Sequence, residues 1–305
     1  MKKQKINWTS SLNHSKRSIN YMHKSKTRIR HWLEIPYLIT SLIILFGVGW
    51  YFYDLKPQYT ILFILIGLII IRIREGQQLG NSLRVSKRHF FRIKQIVEAQ
   101  AKALNVREPR LFIYQDPYPE AYTYGFVSPY TIVISSALVE LLTEDELEAV
   151  IAHEMGHIKY SHAQILAIIN PVGTEVPILS WIFLFWSRAA EITCDNTSLH
   201  VTGNPRALIT SLIKLHVGPK FMSQIDEDDI IGQSKDVSRN YLNKIGELLN
   251  THPYLTSRVN NIISHSNASG IPYTKSGKIK CSACGNEASL SAQFCPNCGN
   301  KIQAI

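Results

Sequence analysis

The sequence predicts a mainly helical α+β domain behind a transmembrane helical hairpin, followed by a small C-terminal zinc ribbon. Three observations carry that reading. Two uncharged apolar runs, 37–53 and 57–71, lie almost back to back. A His153-Glu154-Met155-Gly156-His157 stretch sits mid-chain, and two Cys-x-x-Cys pairs, Cys281/Cys284 and Cys295/Cys298, follow far downstream. With 305 residues, 45% of them hydrophobic, the chain can bury one main core and carry small additions.

The apolar runs are each a little short of the roughly 20 residues that span a bilayer, but flanking Tyr and Trp and the snorkelling Arg72 and Arg74 extend them. A buried helical hairpin of a soluble domain is the competing reading. Charge sets the orientation. Residues 1–35 carry nine Lys/Arg against the single Glu34, and 72–94 carry seven against Glu75, while only Asp54-Leu55-Lys56 separates the runs. By the positive-inside rule both flanks face the cytoplasm, so the remainder of the chain is expected in the cytosol, anchored in the cell membrane. The first run begins too far in, and lacks the small-residue cleavage site, for a secretory signal peptide. These flanks account for much of the net charge of +10. Anionic lipid headgroups explain the basic tail more simply than nucleic acid does.

After the hairpin, Phe90, Phe91, Ile93, Ile96, Val97 and Ala101 recur with helical spacing. Residues 111–114 and 131–135 read as strands, and 121–125 between them as an edge strand. Such an edge either adds an extended substrate to the sheet or is plain sheet, and the sequence favours neither. Thr143-Glu144-Asp145-Glu146 is a capping box, with Leu147, Val150 and Ile151 following at helical spacing, so a helix starts near Glu144 and carries the histidine motif. Residues 164–187 are apolar but broken at Pro171 to Glu175, which predicts a helical hairpin that dips into the cytoplasmic leaflet or packs on the anchor. Further helices are expected at 207–216, 237–249 and 254–264, with an acidic loop at 226–229. The resulting division is a basic cytoplasmic tail (1–36), the hairpin (37–74), the main domain (75–263), a Ser/Gly/Asn-rich linker (264–280) and the ribbon (281–305).

On a helix, imidazoles four residues apart share one face and can bind one Zn²⁺. Glu154 faces the same mouth and is placed to take a proton from an attacking water, the pattern of a zinc hydrolase and most simply a peptidase. The bland alternative is two histidines on a polar helix face. A catalytic zinc takes three protein ligands and keeps a fourth position open. The long spacing that supplies a third histidine fails, because Tyr160 and Ala163 occupy its key positions and His162 is one residue short. Glu191, in Glu191-Ile192-Thr193-Cys194-Asp195, is the better candidate. Asp195, one turn later, would then accept the free N–H of His153 and fix its tautomer. Taken alone, the same two carboxylates are an ordinary solvated pair.

Four blocks in order, 141–147, 152–157, 191–195 and Thr251-His252-Pro253-Tyr254 with Arg258, resemble the HtpX-like zinc-dependent membrane endopeptidases, gluzincins whose relatives include the CAAX prenyl proteases. The resemblance covers roughly residues 114–263. Cys194 stands where that family usually has alanine, and Glu120-Ala121-Tyr122-Thr123 replaces its Asn-Ala-Phe. The resemblance implies a zincin-type metalloprotease domain with His153, His157 and Glu191 on the catalytic zinc and Glu154 as base. It also implies His252 and Arg258 as donors to the oxyanion; against this, Pro253 opens a helix and Arg258 packs by salt bridge. The function so implied is a membrane-anchored zinc endopeptidase cutting protein or peptide substrates at the cytoplasmic face, in membrane-protein quality control. Two rivals remain. A prenyl-protein protease resembles a many-helix chamber, against two clear spans here, and a non-catalytic membrane adaptor working through its ribbon has no need of Glu154.

In the ribbon, Gly285 and Gly299 follow the cysteine pairs and permit the tight turn whose N–H groups face the sulfurs. Four thiolates close a structural zinc site, so the expected cofactors are one catalytic and one structural Zn²⁺. Two disulfides are the alternative, disfavoured by a cytosolic setting. Cys194 is most simply a small core residue, and nothing in the sequence indicates what the ribbon binds.

Overall fold

The computed structural model describes residues 27–125, 128–169, 177–218 and 253–271, with parts of 225–237 and 273–300. It is mostly helical with a small sheet. Helices α1 (Glu34–Leu55) and α2 (Pro57–Gly80) meet at Lys56. Pro57 takes the first helical position of α2, where its missing N–H would have had no partner anyway. Residues 34–54 form the one helix, among the described residues, that is long and apolar enough to cross a membrane. Ile43, Phe46 and Trp50 stand exposed along it. Its opposite side is tied down: Tyr37, Leu38 and Leu45 pack against Phe183 and Trp186, and the Ser41 hydroxyl donates to the Ile182 carbonyl at 2.8 Å.

Four strands follow, β1 (Leu83–Arg84), β2 (Arg110–Tyr114), β3 (Ala121–Tyr124) and β4 (Thr131–Ser135), in the order β1-β2-β4-β3. β2 and β4 run parallel, with Leu111 opposite Ile132, and β3 pairs antiparallel to β4 and holds the sheet edge, where the sequence places it. β4 is covered on both faces, as its unbroken Ile132-Val133-Ile134 run requires. β1 was not expected; it is two residues long, too short to show any period.

Helix α3 (Phe91–Leu104) lays Ile93, Val97 and Leu104 over Leu111, Ile113, Ile132 and Ile134. A short α4 (Ser136–Leu141), capped by the Ser135 hydroxyl, leads into α5 (Glu144–Lys159). Both halves of the expected capping box are present: Thr143 accepts from the Glu146 N–H and Glu146 from the Thr143 N–H. α5 is buried along nearly its whole length, contributing Leu147, Ile151 and Met155 to the core under the sheet. Next come α6 (His162–Ile169), α7 (Pro177–Ile182) and α8 (Leu184–Thr202). The break expected at 171–175 lies outside the described residues. On its far side Ile178 and Trp181 are exposed, Trp181 to 77%.

α9 (Pro205–Val217) and α10 (Leu255–Ala268) build a second core with Ala149 and Leu199, in which Ile209, Ile213 and Ile262 are wholly enclosed. Residues 238–249 of the helix expected over 237–249 and residues 226–228 of the acidic loop expected over 226–229 lie outside the described residues; Val237 is helical, and so is Asp229, which the loop reading did not expect. One boundary needs correction. The linker expected from residue 264 is helix as far as Ala268, and Ile271 beyond it is buried in this second core. Gly270, at φ +69°, lets the chain turn so that the Ile271 N–H reaches back to the Ser266 carbonyl, at 3.0 Å. A Ser/Asn-rich composition reads as linker, but one apolar residue placed after a glycine cap holds it to the domain.

Candidate metal centre

The site is made where α5 crosses α8. At the crossing Gly156 meets Cys194: a Cβ added to Gly156 would lie 3.0 Å from the Cys194 sulfur and 3.1 Å from its Cα. Backbone therefore approaches backbone, and only a residue without a side chain fits. Gly156→Ala is expected to destabilise the protein by about 1–3 kcal/mol, the usual cost of overpacking. Because α8 must move, metal affinity should fall as well. Thermal unfolding and chelator competition measure the two effects, and unchanged values for both would remove the crossing as the cause of the site geometry.

One turn before Cys194, α8 presents Glu191 between the two histidines of α5. The His153 Nε2 lies 3.6 Å from Glu191 Oε2, and the His157 Nε2 lies 3.5 Å from Glu191 Oε1. Neighbouring ligand atoms on a tetrahedral ion with bonds of about 2.0–2.1 Å stand roughly 3.3–3.4 Å apart. Each histidine nitrogen thus stands near that spacing from a different Glu191 oxygen, so the carboxylate faces both rings, and all three groups are buried. A rival donor set consists of His153, His157 and Cys194. The Cys194 sulfur also lies 3.6 Å from the Nδ1 of His162, a neighbour outside that set. Burial pushes the Cys194 thiol well above its ordinary pKa.

Behind His153, its Nδ1 lies 3.0 Å from Asp195 Oδ1. Asp195 in turn accepts a fork from Arg258, Nε to Oδ2 at 2.8 Å and Nη2 to Oδ1 at 2.6 Å. Burial alone would raise the Asp195 pKa, but Arg258 outweighs it and holds the carboxylate below its usual range. Burial would likewise depress His153, yet Asp195 and Glu191 together push it up to about 10 in the metal-free protein. Metal uptake must therefore displace a proton, so affinity rises with pH. The Arg258 Nη1 also reaches Glu191 Oε2, at 3.5 Å. His252 lies outside the described residues.

The Glu154 carboxylate is held from the sheet. Thr123 on edge strand β3 donates its hydroxyl to Glu154 Oε2 at 2.7 Å. Behind His157, its Nδ1 meets the Nδ1 of His162 at 3.3 Å, and the other nitrogen of His162 meets Glu34 Oε1 at 3.0 Å. Sequence reasoning singled out none of these three as site residues. In the sequence Thr123 stands out only as a departure from a family pattern, His162 falls one residue short of the long histidine spacing, and Glu34 is only a charge beside an apolar run.

The family model of peptidase family M48 matches residues 87–179 and 168–265, a span that contains every residue of this crossing except Glu34. The chain belongs to peptidase family M48. Among M48 relatives it is 32% identical over 189 residues to the plastoglobule-localized metallopeptidase 48, chloroplastic, of Arabidopsis thaliana, covering 57% of this chain and 55% of that one. It is 37% identical over 93 residues to the protease HtpX homolog 1 of Sulfurisphaera tokodaii, 30% of each chain. With the protease HtpX homolog of Neisseria meningitidis serogroup C it shares 27% identity over 202 residues, 53% of this chain and 68% of that one. The chain thus spans about half or less of the first two relatives. A crystal structure of S. mikatae Ste24p aligns at 19% identity and a TM-score of 0.43, over 75% of this chain and 66% of that one. The HtpX-like resemblance read from the four sequence blocks is borne out.

The M48 match ends at residue 265, before a second donor cluster. Cys281, Cys284, Cys295 and Cys298 converge with Sγ separations of 3.7 Å (Cys281 to Cys298) and 3.6 Å (Cys284 to Cys295). A tetrahedral ion with Zn–S bonds of about 2.3 Å requires about 3.8 Å, whereas a disulfide requires about 2.05 Å. The sulfurs match the first. Each pair forms a tight knuckle: the Gly285 N–H bonds the Cys281 carbonyl and the Gly299 N–H the Cys295 carbonyl, both at 2.8 Å, with both glycines at positive φ. The Asn286 N–H and the neighbouring sulfurs hold the Cys284 thiol down at about 6, while neighbouring sulfurs push Cys298 up to about 12, as clustered thiols that share protons do.

Proposed function

We propose that this M48 chain is a membrane-anchored zinc metalloendopeptidase that cuts protein or peptide substrates at the cytoplasmic face of a membrane. The observation that carries the reading is the placement of His153 Nε2, His157 Nε2 and a Glu191 carboxylate at single-ion spacing beside Glu154. In this reading those three groups hold the zinc. Zn²⁺ there supplies Lewis acidity toward the scissile carbonyl and the attacking water. Glu154, oriented by the Thr123 hydroxyl, accepts the water's proton and passes it to the leaving amine. Asp195 holds the His153 tautomer. Arg258, whose guanidinium is engaged by both Asp195 and Glu191, is a positioning residue in place of the oxyanion donor that the family resemblance implies. The outer edge of β3 lies beside Glu154 and suits backbone pairing with an extended substrate.

The anchor in this proposal is the pair α1 and α2 acting as a transmembrane hairpin, with 75–263 as the protease domain and 281–305 as a structural zinc ribbon. The basic flanks at 1–35 and 72–94 support the cytoplasmic orientation. A role in membrane-protein quality control rests on family resemblance alone. The test is incubation of the purified full chain with an unfolded model protein. Cleavage that a zinc chelator stops and added zinc restores supports the proposal, and cleavage indifferent to chelation refutes it. The ribbon is separable. Replacing Cys281 and Cys284 by Ser should remove one of two bound zinc ions by elemental analysis while small-peptide hydrolysis continues; unchanged zinc content would refute the four-thiolate site.

A further inference from the structure

Glu34 is the first residue of α1, yet its side chain is 0% exposed. A buried carboxylate at the mouth of an apolar helix is costly unless fully partnered, and this one is. Oε1 accepts from Arg30, whose Nε lies at 2.7 Å, and from the His162 Nε2 at 3.0 Å, while Oε2 accepts the Thr193 hydroxyl of α8. His162 is itself buried, edge-on to Trp186. Its remaining nitrogen, Nδ1, stands 3.3 Å from the Nδ1 of His157.

The proton positions along this chain follow from elementary rules. An ionised carboxylate only accepts, so the His162 Nε2 carries its hydrogen. The contact between two Nδ1 atoms needs one hydrogen and one lone pair. With the His162 proton committed to Glu34, the lone pair belongs to His162 and the hydrogen to His157. That leaves the His157 Nε2 lone pair pointing toward Glu191, where an ion would sit. The Asp195 carboxylate does the same directly for His153.

We propose that Glu34 and His162 form a positioning relay that fixes the tautomer and orientation of His157, making the N-terminal end of α1 a working part of the metal centre. The inference rests on the reading of His157 as a zinc ligand. The anchor helix is then no passive tether: a residue 128 positions before His162 in sequence secures the ligand from behind.

The test uses the purified full chain, stripped of metal and reloaded with Co²⁺, comparing wild type with Glu34→Gln, His162→Ala and His162→Asn. Chelator competition gives metal affinity, the visible cobalt spectrum reports the ligand field at the site, and thermal unfolding of the metal-free proteins reports packing. Glu34→Gln and His162→Ala are expected to weaken metal binding about 10–100-fold and to alter the cobalt spectrum. His162→Asn, which retains an acceptor near the Nδ1 position, should bind more tightly than His162→Ala. A purely structural role would lower the unfolding temperature and leave the spectrum alone, and wild-type affinity and spectrum in both Glu34→Gln and His162→Ala would overturn the relay. If Glu34→Gln does not fold, the Ala and Asn variants of His162 decide. If wild type itself takes up no cobalt beyond the ribbon, the metal reading falls first and the relay with it.

Discussion

Glu154→Gln is expected to lower peptide hydrolysis by about 10²–10⁴-fold, the usual contribution of a positioned general base, while zinc content stays at the wild-type level. The residue lies on α5 beside His153, but its carboxylate is drawn toward β3 by the Thr123 hydroxyl, 2.7 Å from Oε2. Gln keeps an oxygen able to accept that bond and nearly the same volume, so packing and the donor set at Glu191, His153 and His157 should be undisturbed. What it loses is the capacity to take a proton. Turnover by the purified variant, set beside elemental analysis, separates the two roles. Loss of zinc together with activity would place Glu154 among the ligands, and full activity would remove it from the chemistry.

Asp195→Ala is expected to be severe in a different way. Asp195 is wholly buried and accepts two bonds from Arg258 and one from His153. Deleting one partner of a buried pair leaves the other charge enclosed, typically a loss of about 3–5 kcal/mol. Glu191 stands 3.5 Å from the Arg258 Nη1 and offers partial compensation, but only by turning from the histidines it bridges. Stability and metal affinity should therefore fall together. Asp195→Asn keeps an acceptor for His153 and should fold better while binding metal more weakly than wild type. Glu191→Ala provides the contrast, with metal lost and the Asp195–Arg258 pair intact. Denaturant unfolding and chelator competition on the three variants check the scheme; a stable, metal-replete Asp195→Ala protein would contradict it.

What the sequence determined by itself is what lies within a few consecutive residues. The capping box at Thr143 and Glu146 sets the start of α5, the four-residue spacing of His153 and His157 puts both on one helical face, and the apolar run within Thr131 to Ser135 announces a strand. The two Cys-x-x-Cys-Gly knuckles are equally local, each closed by a bond from its own glycine. Helical spacing also put Glu191 and Asp195 on one face, but not against His153. That approach depends on Gly156 lying under Cys194, a contact between residues 38 apart in number. The rest was decided by packing alone. Arg258 met Asp195 because α10 lies against α8, Thr123 met Glu154 because β3 sits over α5, and Glu34 met Thr193 because α1 docks against α8, with His162 of α6 on its other oxygen. Charge and hydrophobic period report which residues must leave water or stay in it. They do not report which distant partner neutralises a buried Glu34 or orients a His157, because that partner is chosen by the shape of the whole core.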